Sequence, residues 1–259
     1  MADENSQPIE EVEKKKDLAF LLESSYPLLK EFRDKCAGTF KHSQSVAGMV
    51  EAICTELGLD ATFMKVAAMY HDIGKIVNPK YFTENQIEDE NPHEKLDPRI
   101  SFQIISRHPA DTALILLNDG NFPVDLITIA VQHHGTSVVQ FFYDKYKALA
   151  ETEAAEDYFR YKGQRPKCIE SMILMLSDSI QARSRSEVQA NKFDPANVIN
   201  QTIDSLSADG QLDDVVMRLG DLQTIKVVLA KELEGMFQKR VDYSKAAEEG
   251  EKLKDVEDN

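Results

Sequence analysis

Seven side chains in this sequence are of types that hold metal ions: His42, His71, Asp72, His108, His133, His134 and Asp178. The chain has only six histidines, so the placement of each can be followed. His42 lies four residues before Val46, His71 four after Ala67 and His108 four after Ile104; His133 and His134 lie three and four after Ala130. Residues three or four apart share one face of a helix. Five of the six histidines therefore project from the same side as an apolar stripe, each near a helix terminus. One such histidine is ordinarily a hydrogen-bonded core residue. Several converging imidazoles would be costly if any were charged. A metal ion removes that cost by holding the rings neutral through their nitrogens. Asp72 adjoins His71, and Asp178 follows the apolar run 172–176. Buried carboxylates of this kind need a cation.

Seven nitrogen and oxygen donors exceed what one four-coordinate zinc takes. They suit two divalent ions with open positions, Asp72 giving one oxygen to each. The absence of cysteine from the set favours iron or manganese over structural zinc. Two ions about 3.5–4 Å apart can share a water, deprotonate it to a nucleophilic hydroxide, and neutralise a phosphoryl group under attack. Lys75 lies one turn beyond His71 and Asp72. It has two readings: a point cation for a phosphate oxygen, or a lysine at the negative end of a helix. Gly74 is expected to let the backbone turn.

Helices must position these groups, because the apolar period is mostly 3.6. Val46, Met49, Val50, Ile53 and Leu57 form one stripe, with a stop near Gly58 and a cap for the next helix at Asp60. Phe63, Val66, Ala67 and Tyr70 form the next stripe. A loop holds Asn78-Pro79 and Asn91-Pro92. Ile100, Ile104 and Ile105 then start a helix that Pro109 interrupts or bounds. Residues 117–123 read as a turn, 123–134 as a short helix, 170–183 as a longer one, and 212–241 as a final helical pair. Met64, Met69, Met172 and Met175 read as core filling. No alternating strands, internal repeat or glycine-rich phosphate loop is evident, so the expected class is all-α, a helical bundle with a two-metal centre in its core.

Composition limits the partners. The net charge of −15 disfavours a long nucleic acid. Cys36, Cys54 and Cys168 are scattered and odd in number, which argues for a reducing compartment. No run approaches the roughly 18 apolar residues of a membrane span, and residues 1–16 lack a signal-peptide core. A cytoplasmic protein is expected, with a polar lead-in at 1–16, one domain at 17–245 and a charged tail at 246–259. The run Lys14-Lys15-Lys16 reads as a solvated start, since acidic residues flank it.

The ordered set His42, His71-Asp72, Asp178, with His108 and His133-His134, resembles the two-metal branch of the HD-domain phosphohydrolases. The segments "HDIGK", "YFTENQ", "NPHEKLDPRIS", "HHGT", "FRYKGQRP", "MLSDSIQARSRS" and "GQLDD" narrow the resemblance to one group. This is the cytoplasmic catalytic domain of bacterial seven-transmembrane HD-type cyclic di-AMP phosphodiesterases. The likeness covers roughly residues 25 to 243. It implies hydrolysis of cyclic di-AMP to pApA at a binuclear iron or manganese centre. His42, His71, Asp72 and Asp178 would hold one ion, and Asp72, His108, His133 and His134 the other. Lys75 would meet phosphate, and Asn85, Gln86 and His93 would lie near the pocket. The sequence holds no membrane region or sensor region, which implies a different mode of control by an unidentified regulatory partner. "HHGT" departs from the HHExxDGxGYP pattern of the cyclic di-GMP branch and argues against that substrate. Ile169 and Gln181 stand where the family is expected to carry a basic and an acidic residue. Two alternatives stay open: a hydrolase of linear dinucleotides or other nucleotides, and a module that senses a cyclic dinucleotide without turnover.

Overall fold

Buried residues recur every three to four positions from Thr39 to Cys54, and the chain winds there into its longest early helix. The computed structural model describes residues 17–86, 91–149 and 156–237. Helix α1 spans Pro27–Lys35 and α2 Ala37–Leu57. Gly58 ends α2 in the left-handed region at φ 68°, its N–H returning to the carbonyls of Cys54 and Thr55. Asp60 then accepts a hydrogen bond from Phe63 N and caps α3, Ala61–Tyr70. Both boundaries agree with the sequence. The four methionines at 64, 69, 172 and 175 are all buried in the interior.

Short 3-10 turns cover Ile73–Val77, Pro79–Tyr81, Thr83–Asn85 and Pro92–Glu94. Helix α4 spans Pro98–Ile105, α5 His108–Asp119 and α6 Val124–Val131. Pro109 lies in the first turn of α5, where its missing N–H costs nothing. His108 therefore opens a new helix and does not extend the Ile104 stripe. The isoleucine stripe is also corrected: Ile100 is 47% exposed, and α4 instead turns Pro98, Ser101 and Phe102 inward. Phe102 joins Phe142 and Phe159 in a small satellite core.

Helix α7 spans Gln140–Leu149, α8 Ile169–Gln189 and α9 Pro195–Ala208. The described residues after α9 form turns over 209–214 and a single helix over 219–237, where a helical pair was expected. Leu212, Val215 and Met217 are only partly buried against the core and Val216 is 94% exposed, so the apolar residues of the first part do not gather on one helical face. Among the described residues the one strand-like feature is an isolated bridge between Val138 and Arg160. The expected lead-in at 1–16 and tail at 246–259 lie outside the described residues.

The packing brings the histidines together. Helix α8 is buried on all sides from Ser171 to Asp178, as a central helix must be. Helix α2 packs on α3 and α8, and α6 packs on α3, α5 and α8. Tyr70 is fully buried and donates from its hydroxyl to Leu21 O at 2.6 Å, fixing the end of α3 just before His71. Cys36 and Cys54 are free thiols in this core, and burial pushes both up to about 12. No described helix is long and apolar enough to cross a membrane.

Candidate metal centre

Two groups of donors face each other in the interior. His42 comes from the second turn of α2, His71 from the C-cap of α3 and Asp178 from α8. His108 opens α5, and His133 and His134 lie in the turn after α6. One ligand atom from each of His42, His71 and Asp178 lies within 4.8 Å of the others, and the same holds for Asp72, His108, His133 and His134. Asp72 stands between the groups. Its Oδ1 is 3.1 Å from His108 Nε2 and 3.5 Å from His133 Nε2. Its Oδ2 is 3.4 Å from His71 Nε2 and 3.7 Å from His42 Nε2. Asp178 Oδ1 is 2.9 Å from His42 Nε2, and its Oδ2 is 3.8 Å from His134 Nδ1.

The hydrogen bonds behind the rings settle which nitrogens face inward. His71 Nδ1 lies 2.7 Å from Ala68 O, His108 Nδ1 2.7 Å from Ile105 O, and His133 Nδ1 2.6 Å from Ala130 O. A carbonyl only accepts, so each Nδ1 carries a hydrogen and each ring turns its Nε2 toward the centre, the lone pair exposed whenever the ring is neutral. His42 Nδ1 lies 2.6 Å from Gln181 Oε1 and is fixed in the same sense. Ring nitrogens thus crowd carboxylate oxygens, and His108 Nε2 meets His133 Nε2 at 3.2 Å. Acceptors packed this closely in a dry interior need positive charge between them. His71 Nε2 and Asp72 Oδ1 are buried without any hydrogen-bond partner. The donor set fits divalent cations, with the backbone carbonyls and Gln181 orienting the rings from behind.

Protonation equilibria show the same demand. Burial would lower His71, but Asp72 and Asp178 outweigh it and push the imidazole up to about 10. Burial lowers His133, and it drives His134 well below the usual range together with its neighbours His133 and His108. Burial would raise Asp72 and Asp178, yet both fall well below the carboxylate range: Lys75 and His71 act on Asp72, and His42 and His71 on Asp178.

Lys75 Nζ is 2.7 Å from Asp72 Oδ2 and 2.9 Å from Glu84 Oε1. An ammonium has three donors, so one remains. Glu84 was not anticipated as the lysine's second partner. It also accepts from Thr39 Oγ1 at 2.9 Å. The neighbouring candidates are engaged elsewhere. Asn85 accepts from Thr39 N at 3.0 Å and donates to Thr39 Oγ1 at 2.7 Å. Gln86 donates to Lys80 O at 3.3 Å. His93 Nε2 lies 2.8 Å from Tyr81 O, and its ring packs on Phe142. None of the three joins the histidine–aspartate groups. Gly74 also differs from expectation: a Cβ there would stand 2.1 Å from His108 O and 2.6 Å from Thr112 N. Its role is close approach of the two ligand-bearing segments, with Thr112 Oγ1 donating to His71 O and accepting from Gly74 N. Tyr161 stacks on His134 with ring centroids 4.3 Å apart, and no periodic signal in the sequence marked it. Ile169 packs at the edge of the main core.

A helical domain with paired histidine–aspartate groups at this order defines a class: the HD domain profile matches residues 39–183, and the chain belongs to the HD domain family. It is 37% identical over 222 residues to the cyclic-di-AMP phosphodiesterase PgpH of Bacillus subtilis, covering 86% of this chain and 31% of that protein. It is 35% identical over 226 residues to the PgpH of Listeria monocytogenes, covering 87% and 31%. The chain spans less than a third of the length of either relative. The crystal structure of the L. monocytogenes PgpH HD domain in complex with cyclic-di-AMP superposes with a TM-score of 0.76 at 35% identity, covering 83% of this chain and 99% of that one.

Proposed function

We propose that this chain is a metal-dependent phosphodiesterase that opens cyclic di-AMP to pApA. The observation that carries the reading is Asp72, whose two oxygens face two separate sets of histidines. We assign one divalent ion to His42, His71, Asp72 and Asp178, and a second to Asp72, His108, His133 and His134. The all-nitrogen-and-oxygen donor set supports iron or manganese. When bound, such a pair lowers the pKa of a shared water and neutralises charge on a phosphoryl group under attack. The protein's own residues set the geometry. The carbonyls of Ala68, Ile105 and Ala130 hold three rings in one tautomer. Asp72 and Asp178, both held anionic, would supply the negative charge needed to offset two neighbouring cations. Lys75 is assigned the phosphate contact through its remaining donor. Asn85, Gln86 and His93 are assigned to the loops around the pocket. The relatives named for cyclic-di-AMP and the neighbour solved with that ligand support the choice of substrate. The bacterial relatives and the free cysteines support a cytoplasmic setting in a bacterium.

The test is product analysis. Protein loaded with manganese is incubated separately with cyclic di-AMP, cyclic di-GMP and pApA. The reading expects fastest loss of cyclic di-AMP with pApA accumulating. Turnover of pApA alone would replace it with a linear-dinucleotide hydrolase, and binding of cyclic di-AMP without any product would replace it with a sensor.

A further inference from the structure

The sequence motifs around residues 160 and 211 lie outside the metal-binding groups, yet the structure closes them into one device. Thr136, two residues after His134, has every polar group held. Its N–H donates to Gln211 Oε1 at 2.9 Å, its Oγ1 accepts from Gln211 Nε2 at 3.0 Å, and its carbonyl accepts from Arg160 Nη1 at 3.0 Å. Asp209 completes the ring: it accepts from Gln211 Nε2 at 2.9 Å and from both Arg160 Nη1 and Nη2, at 3.1 and 2.8 Å. Gln211 is fully buried. A Cβ at Gly135 would stand 2.4 Å from Gln211 Oε1, and Gly135 itself lies at φ 51°, so the loop presses directly on this side chain. The ring grips a second element too. Tyr161 N donates to Ser137 O at 3.0 Å, and the Tyr161 ring stacks on His134.

We propose that the ring Thr136–Gln211–Asp209–Arg160 is a positioning device for His134 and Tyr161, so that the turn after α9 governs one half of the metal centre and not the other. The proposal rests on the two-ion reading for its functional consequence. His42, His71 and Asp178 stand on helices and a helix cap, and the one side-chain tie described behind them, Gln181 on His42, comes from α8 and not from the turn after α9. His133 and His134 stand in a turn with a few local backbone bonds, and side-chain hydrogen bonds from 75 residues away pin Thr136, which follows them.

The test compares wild type with Gln211→Ala in the full chain, by histidine NMR of the metal-free protein and by manganese titration. With six histidines the spectrum is simple enough to follow each ring. Expected are shifted or broadened His134 and Tyr161 signals beside unchanged His42 and His71 signals. Affinity for one of the two manganese ions should fall about 10- to 100-fold, with the other retained. Thr136→Val, which removes only the hydroxyl, should move the same signals less and serves if the first variant does not fold. Unchanged His134 and Tyr161 signals in a folded variant, or equal perturbation of both halves, would overturn the proposal. Wild-type stoichiometry in the same titration judges the two-ion reading separately from the difference between variant and wild type.

Discussion

The two halves of the centre are built by different means. His42, His71 and Asp178 are delivered by α2, α3 and α8, with α2 packed on both of the others and Val46, Ile53, Ala67 and Leu176 fully buried. His108, His133 and His134 are delivered by a helix start and a turn. The first half is held mainly by core packing, with Gln181 behind His42, and its His71 is raised by two carboxylates. The second half is held by long-range hydrogen bonds; burial lowers its His133 and His134, helped by His71 at His133 and by His133 and His108 at His134. Asp72 turns one oxygen to each half. The difference shows that one functional site can rest on two kinds of stability, packing on one side and polar ties on the other.

The largest effect should come from the shared residue. Asp72→Ala is expected to lower kcat on cyclic di-AMP by at least about 10³-fold and to weaken metal binding in both halves. Retention of turnover and metal would break the comparison at its joint. Next come the separate halves. His71→Ala and His134→Ala should each cost about one ion per chain in metal analysis, from opposite sides of Asp72; identical losses of both ions from either variant would erase the distinction. Gln181→Ala leaves His42 Nδ1 without its partner and should weaken the first half about 10- to 100-fold, whereas Gln181→Glu should tighten it by making the ring more basic. Metal titrations of both variants read this directly.

A subtler difference lies in protons. In the metal-free protein His71 is raised, so its contribution to stability is complete below its ordinary value of 6.5 and is lost as pH rises toward about 10. At neutral pH its proton must leave before Nε2 binds a cation. Filling the first half should therefore release about one proton, while the lowered His133 and His134 release none. Calorimetry at pH 7 in buffers of different ionisation enthalpy measures the number, and proton release from the second half instead would reverse the assignment. The smallest effect is expected behind the first half. Tyr70→Phe removes the hydrogen bond to Leu21 O and should cost about 1–2 kcal/mol in denaturant unfolding with metal content unchanged.

These differences also explain what could be read from the chain. The α2 and α3 stripes, their stop at Gly58 and the cap at Asp60 were legible because local periodicity and capping chemistry agree there with the packing. The metal-binding candidates were legible because histidines beside core stripes are rare enough to count. Helices α1, α7 and α9 were missed, although Asp194 followed by Pro195 carried a start signal for α9. The final segment was over-read, since apolar residues such as Val216 and Leu219 are exposed and periodicity cannot tell which face is covered. Glu84, Tyr161 and Gln211 escaped because their partners lie 9, 27 and 75 residues away and no local pattern encodes such pairings.

The central claim is that Asp72 stands between two cations. A crystal structure of the manganese-loaded protein, with anomalous difference maps collected at the manganese edge, tests it most directly. The account predicts two peaks about 3.5–4 Å apart, one on each oxygen of Asp72. A single peak, or two peaks neither of which touches Asp72, would contradict it.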